Sequence, residues 1–175
     1  MALDLGPCRV YWGASGSEED LGKTQGGVVV TFSQDVADLK SDQFGTSPED
    51  QAITGHAVTI MVPLADYGLD SLATALGQTK KILGDDEGIK GSVVVGTLKS
   101  AGANSLLVKK YSNGVISTDE NDWMQFPLAA PDGNVEVRFD GENQRIIETT
   151  FRAYPYGSDS VLYYIGDDSA AETGS

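Results

Sequence analysis

The sequence predicts a mainly β fold, a β-sandwich or partial barrel flanked by one α-helix, on three observations. Long stretches alternate apolar and polar residues with period two. Glycine is abundant at 21 residues, and Val, Thr and Ser recur, a composition that favours many strands joined by turns. Only one stretch changes to helical periodicity. The 175 residues suit a single domain, taken as 1–175, and 40% hydrophobic content is enough for a core.

In chain order, Cys8–Trp12 reads as a short strand and 14–26 as a polar loop or linker containing Glu18, Glu19 and Asp20. Gly27–Leu39 is a long strand. Val28, Val30, Phe32 and Val36 fall on one face, and Thr31, Ser33 and Asp35 on the other. Ala52–Val62 returns, with Val58, Ile60 and Val62 sharing a face and high β-branched content. Strands of about twelve residues span roughly 40 Å at 3.3 Å per residue, twice the usual length. Between them Ser41–Gln51 is too long for a tight hairpin turn. Phe44 at its centre points to a contact surface, since an aromatic ring has no use at a solvated tip.

Pro63 is expected to end the return strand. Residues 66–77 then form the helix, with Asp66 as cap, Asp70 in the first turns and Gly77 as the C-terminal stop. Leu69, Leu72, Ala73 and Leu76 share one helical face, and Leu69, Leu72 and Leu76 should dock on a sheet. Residues 84–88 read as an acidic turn, and Ser92–Leu98 and Ser105–Tyr111 as a strand pair. Trp123–Phe126 and Val135–Phe139 are short strands, with turns at 112–114, 130–134 and 140–141. Gln144–Tyr154 is a third long strand, with Ile147, Thr149, Phe151 and Ala153 alternating with Glu148, Thr150 and Arg152. A turn at 155–160 leads to the last strand, Val161–Ile165, and 167–175 is a polar acidic tail expected to be disordered.

The net charge of −14 argues against gripping nucleic acid, which needs basic surface. Six of the 12 basic residues lie between Lys80 and Lys110, so a basic patch meeting another copy's acidic surface competes with a merely solvated face. No apolar run reaches the length of a membrane span, and the N-terminus lacks the features of a signal peptide. Cys8 is the sole cysteine, read as an inert thiol, and His56 the sole histidine, read as structural. Asp85, Asp86 and Glu87, and Asp119, Glu120 and Asp122, could chelate Ca²⁺ but lack EF-hand spacing. No nucleophile-and-base pattern, phosphate loop or dinucleotide fingerprint is present, so neither an enzyme nor a cofactor is expected.

Four ordered stretches resemble the tail tube proteins (major tail proteins) of long non-contractile-tailed phages, the siphophages. They are Gly26–Phe32, Asp42–Pro48 with the return strand Ile53–Ile60, Pro63–Asp66 leading into the helix, and Thr150–Pro155 followed by Val161–Gly166. The resemblance covers most of residues 8–166. It implies a virion protein, assembled in the host cytoplasm, whose hexameric rings stack into a hollow tube. The long strands would close a ring-shaped inner β-barrel through which DNA passes without specific binding. The implied partners are further copies of the chain, the tape-measure protein, and tail terminator and baseplate proteins. Asp42, Gln43, Phe44, Gly45, Thr46, Ser47 and Pro48 would then reach a neighbouring subunit. The non-core faces of the long strands, with Thr31, Ser33, Asp35, Thr59, Glu148, Thr150 and Arg152, would line the lumen. A one-residue bulge would exchange the two faces. Ring closure suits long strands, because it removes unpaired edges. The alternatives are a tube protein of a contractile tail or secretion system, or a monomeric acidic β-sandwich that binds carbohydrate or calcium.

Overall fold

The computed structural model describes residues 6–40, 42, 46–77, 80–83, 85–91, 95–112, 114–137, 145–167 and 169. The chain is mainly β, with one α-helix and an open antiparallel sheet. Its strands are β1 (Cys8–Gly13), β2 (Glu19–Asp20), β3 (Val29–Leu39), β4 (Asp50–Leu64), β5 (Lys80–Leu83), β6 (Asp86–Ile89), β7 (Asn104–Ser112), β8 (Val115–Ile116), β9 (Trp123–Pro131), β10 (Ile147–Ala153) and β11 (Tyr164–Ile165). The helix α1 spans Leu69–Leu76. The main sheet runs β2-β1-β7-β9-β10-β4-β3, with β11 added to β9 and β8 to β7, while β5 and β6 form a separate hairpin.

One sheet, rather than two stacked ones, encloses the core by rolling. Val10, Ile60, Leu106, Phe126, Ile147 and Phe151 are fully buried in a single cluster drawn from β1, β4, β7, β9 and β10. The roll brings non-adjacent strands together. The Trp12 ring on β1 meets Phe151 on β10 at 5.7 Å between centroids, and its indole Nε1–H donates to the Ala129 carbonyl of β9 at 3.1 Å.

Residues 14–26, expected as a linker, tie the two ends of the sheet. Leu21 N–H donates to the Val10 carbonyl at 2.9 Å, on the β1 side. Only two residues later the Lys23 carbonyl accepts from Ala65 N–H at 2.8 Å, and Gln25 N–H donates to the Pro63 carbonyl at 3.1 Å, at the end of β4. Pairing consumes backbone groups that a solvated linker would leave to water. Pro63 does not stop β4. It lies inside the strand opposite Glu148, and the strand runs on to Leu64.

Other expectations are corrected by which edges are already occupied. β7 pairs with β1 on one side and β9 on the other, so Ser92–Leu98 has no place beside it. Val95–Leu98 are not in a strand, Val95 is 89% exposed, and 92–94 lie outside the described residues. Likewise 135–137 form no strand, and 138–139 lie outside the description. The acidic turn is shorter than expected, because Asp86–Ile89 pair with β5. The last strand is confined to β11, while Val161 makes only a bridge to Tyr156 across the 157–160 turn.

The helix begins later than predicted, at Leu69, and its cap is the extended Gly68 rather than Asp66. Gly77 closes it in the left-handed conformation (φ 63°), as expected. The leucine stripe docks only in part. Leu72 packs on the core, but Leu69 and Leu76 stay 41% and 36% exposed, and the buried residues are Ala73 and Ala75. Small side chains bring the helix backbone close to the sheet, which leaves the outer leucines standing clear of it.

Phe151 carries much of this arrangement, being fully buried and in ring contact with Trp12. Phe151→Ala is expected to cost about 3–5 kcal/mol. Urea unfolding followed by tryptophan fluorescence measures it; a midpoint within error of the parent would contradict a core centred on this ring.

Candidate functional site

β4 belongs to the core for half its length. From Thr59 to Met61 it lies between β10 and β3, from Val62 to Leu64 between β10 and residues 24–25, and Val58, Ile60, Val62 and Leu64 point into the cluster. Before Thr59 the β10 pairing has ended, and β3 is the only strand beside it among the described residues. β3 itself is the terminal strand of the sheet path. The result is a two-strand ribbon, Val29–Leu39 with Asp50–Val58, that projects beyond the core and has an unpaired edge on each side among the described residues. Every β3 residue except Val30 is exposed. Such ribbons are marginal in water alone, and exposed edges invite further strands.

The two ribbon faces differ chemically. Opposed residues in an antiparallel pair share a face. Val30–Ile60, Phe32–Val58 and Gln34–His56 therefore lie on the core side. Register shifts after Asp35–Gly55, and the next pair is Val36–Ile53, so Thr54 is an extra residue in β4. The shift returns Ile53 to the core side with Val36. Beyond the core this side carries Phe32, Val36 and Ile53 at 45%, 48% and 60% exposure. The C-terminal segment folds over its base. Tyr163 meets Phe32 edge-on at 4.8 Å, and a groove of about 310 Å³ runs between Phe32, Ala57, Val58 and the facing Val161, Leu162 and Tyr163. His56 also lines this groove.

The other face collects all seven predicted lumen residues. Thr31 opposes Thr59, which opposes Arg152. Thr150 opposes Met61, Glu148 opposes Pro63, and Ser33 and Asp35 continue outward on β3. The bulge lies past Asp35 and does not exchange these residues. Ile147, Thr149, Phe151 and Ala153 are buried, as the alternation predicted. Ser33 donates to the Ala57 carbonyl at 3.2 Å, and the Asp35 carboxylate leans over Gly55, where an added Cβ would sit 3.6 Å away. The face is not wholly polar, for Val29 and Met61 form an exposed apolar pair upon it.

At the ribbon's outer end Glu49 N–H donates to the Leu39 carbonyl at 2.8 Å. Of the predicted contact loop, Asp42, Thr46, Ser47 and Pro48 are exposed, while Gln43, Phe44 and Gly45 lie outside the described residues.

The other sequence candidates are engaged elsewhere. Lys99 donates to the Pro131 and Asp132 carbonyls, Lys109 stacks 3.9 Å from the Trp123 ring centre, and Lys110 pairs with Asp122 at 3.9 Å. Asp119 caps the turn at Glu120–Asp122, and no group of three or more potential metal ligands occurs among the described residues. Burial pushes the Cys8 thiol up, which keeps it protonated and a poor nucleophile. No described helix is long and apolar enough to cross a membrane. No family model matches the chain, and no curated protein matches it.

The ribbon's exposure was not legible as such. Period-two alternation marks a face, not whether a neighbouring strand covers it. The end of β10 pairing at Thr59 predicts a step in amide protection. Hydrogen exchange of the dilute protein should be slow over Ile60–Leu64 and at least tenfold faster over Ala52–Ala57. Uniform protection along β4 would contradict an unsupported ribbon.

Proposed function

We propose that this chain is a structural subunit that self-assembles into rings stacked as a hollow tube, the tail tube of a siphophage, and that it is not an enzyme. The observation that carries the reading is the projecting ribbon. It has two edges unpaired among the described residues and one face on which hydroxyls and charges surround the Val29–Met61 pair, and its strands outrun the core they serve. In a ring, one copy's β3 edge pairs with the free part of the next copy's β4, so that both edges are satisfied. Contact between different surfaces repeats head to tail and gives rings or filaments. Six copies to a ring, the virion location, and the tape-measure, terminator and baseplate partners follow from the family resemblance. The loop at Asp42–Pro48, at the ribbon's outer end, is assigned to the neighbouring ring.

In this reading Thr31, Ser33, Asp35, Thr59, Glu148, Thr150 and Arg152 face the bore. A wall of hydroxyls with more acids than bases repels phosphate and lets DNA slide, whereas a basic wall would displace counterions and hold it.

Concentrated protein is expected to show rings or tubes by negative-stain microscopy, and a mass of several subunits by light scattering. A strictly monomeric species at high concentration, with no tubes, overturns the assembly reading. For the bore, Asp35→Lys combined with Glu148→Lys should leave tubes intact but slow or block DNA ejection, most strongly at low salt. Unchanged ejection through well-formed double-mutant tubes overturns the lumen assignment.

A further inference from the structure

We propose that the acidic C-terminal segment beyond Gly166 folds back on its own chain and brings Asp168 and Glu172 to the ammonium of Lys109, on the face of the main sheet that looks away from the core. The inference concerns the single chain and does not depend on assembly.

Strand register puts the two partners in one row. Val10, Leu106, Val108 and Phe126 enter the core, so the residues alternating with them on β1, β7 and β9 point outward. Arg9 opposes Lys109, and Lys109 opposes Trp123. On the far side of Trp123, one step past β11, Gly166 N–H donates to the Trp123 carbonyl at 2.9 Å. Gly166, where the segment departs, is therefore two inter-strand spacings from Lys109, about 10 Å. Asp168 and Glu172 follow Gly166 by two and six residues. That is about 7 and 20 Å of extended chain, so with the length of the side chains both carboxylates reach the ammonium. Residues 168 and 170–175 lie outside the described residues.

Lys109 is a cation without a counter-ion. It is half-buried, 3.9 Å from the centre of the Trp123 ring and 5.0 Å from that of Tyr11. Among the described residues no carboxylate pairs with it, whereas Arg9 pairs with Asp20 at 3.4 Å and Lys110 with Asp122 at 3.9 Å. The adjoining turn does not supply one. Asp119 accepts from Asn121, Asp122 accepts from Ser117 Oγ, and Glu120 is exposed and makes no ion pair with Lys109. The two rings already confine the lysine, so an ion pair here loses less of the side-chain freedom that makes most exposed pairs weak. In a chain of 26 acids and 12 bases, the carboxylate that takes this place is decided by reach. Asp167 is engaged by Ser169, whose Oγ–H and N–H donate to it at 2.6 and 2.9 Å. Asp168 and Glu172 are the next acids along the chain. A tether this short holds them at an effective concentration in roughly the millimolar range, which favours the chain's own segment over a second copy's. A free polyanion that binds the same cation has to displace it.

Zero-length carbodiimide coupling of the full chain tests the contact, with an equal mixture of ¹⁴N- and ¹⁵N-labelled protein and mass spectrometry of the digest. An amide joining Lys109 to Asp168 or Glu172 is expected, with both peptides carrying the same label. The Lys110–Asp122 pair serves as internal control. Coupling of Lys110 to Asp122 without coupling of Lys109 to the segment overturns the contact. Cross-links of mixed label assign it to a second copy and overturn docking within the chain. An independent measure is the rate at which Lys109 is acetylated, with the exposed Lys23 as reference. Asp168→Asn combined with Glu172→Gln should raise the Lys109 rate at least threefold relative to Lys23, with the circular dichroism unchanged. An unchanged ratio overturns the contact.

Discussion

The architecture depends on where β4 loses its second neighbour. Between Thr59 and Met61 the strand is bracketed by β10 and β3, from Val62 to Leu64 by β10 and residues 24–25, and every second side chain enters the core. One step beyond Thr59 the bracket ends, yet β3 and β4 continue paired to Leu39 and Asp50. The same hydrogen-bond ladder thus crosses from the interior of a rolled sheet into water. Phe32, Val36 and Ile53 continue the core's apolar row after the core has stopped. The chain by itself leaves that row wet, an unfavourable arrangement in water.

The rolled body makes the projection possible because it holds the ribbon's base from three directions. The Leu21–Gln25 tie fixes the end of β4 to β1. β10 supports it edge to edge, and Tyr163 closes on Phe32 from the C-terminal segment. Two hydroxyls in the body, Ser105 Oγ and Thr149 Oγ1, are buried with no hydrogen-bond partner. Thr149 lies opposite Val62, in a row otherwise filled by Ile147, Phe151 and Ala153, where its β-branched shape packs as valine would.

What could be read from the residues was the periodicity, and what could not was the company each strand keeps. The alternation in Ile147–Ala153 identified the buried and exposed sets, and it put Thr31, Ser33, Asp35 and Thr59 on the face now seen to be shared with Glu148, Thr150 and Arg152. Gly77 announced the helix end because only a left-handed residue fits there. The errors arose where tertiary pairing overrides local preference. Pro63 stays in its strand because it is paired with β10 and its carbonyl accepts from the Gln25 N–H. Val95 and Leu98 look like strand residues, but β7 has no vacant edge for them. The leucines of α1 form a regular stripe, yet Ala73 and Ala75 make the close approach. The paired character of residues 14–26 carried no signal at all, since its polar composition is equally that of a solvated loop.

The unmatched Thr54 has a consequence for how this gene can change length. It is a phase-setter: every residue of β4 before it is displaced by one relative to the alternation of Val58, Ile60 and Val62. Deleting its single codon would remove the bulge and leave Ile53 and Gln51 on the apolar side with Val36, in a regular ladder. Insertions or deletions among the regularly paired residues beyond it are by contrast neutral to sidedness only in pairs. Odd-numbered changes there need a compensating bulge, so the spacing between Ile53 and the ribbon's outer end is quantised in a way that the chain's loops are not.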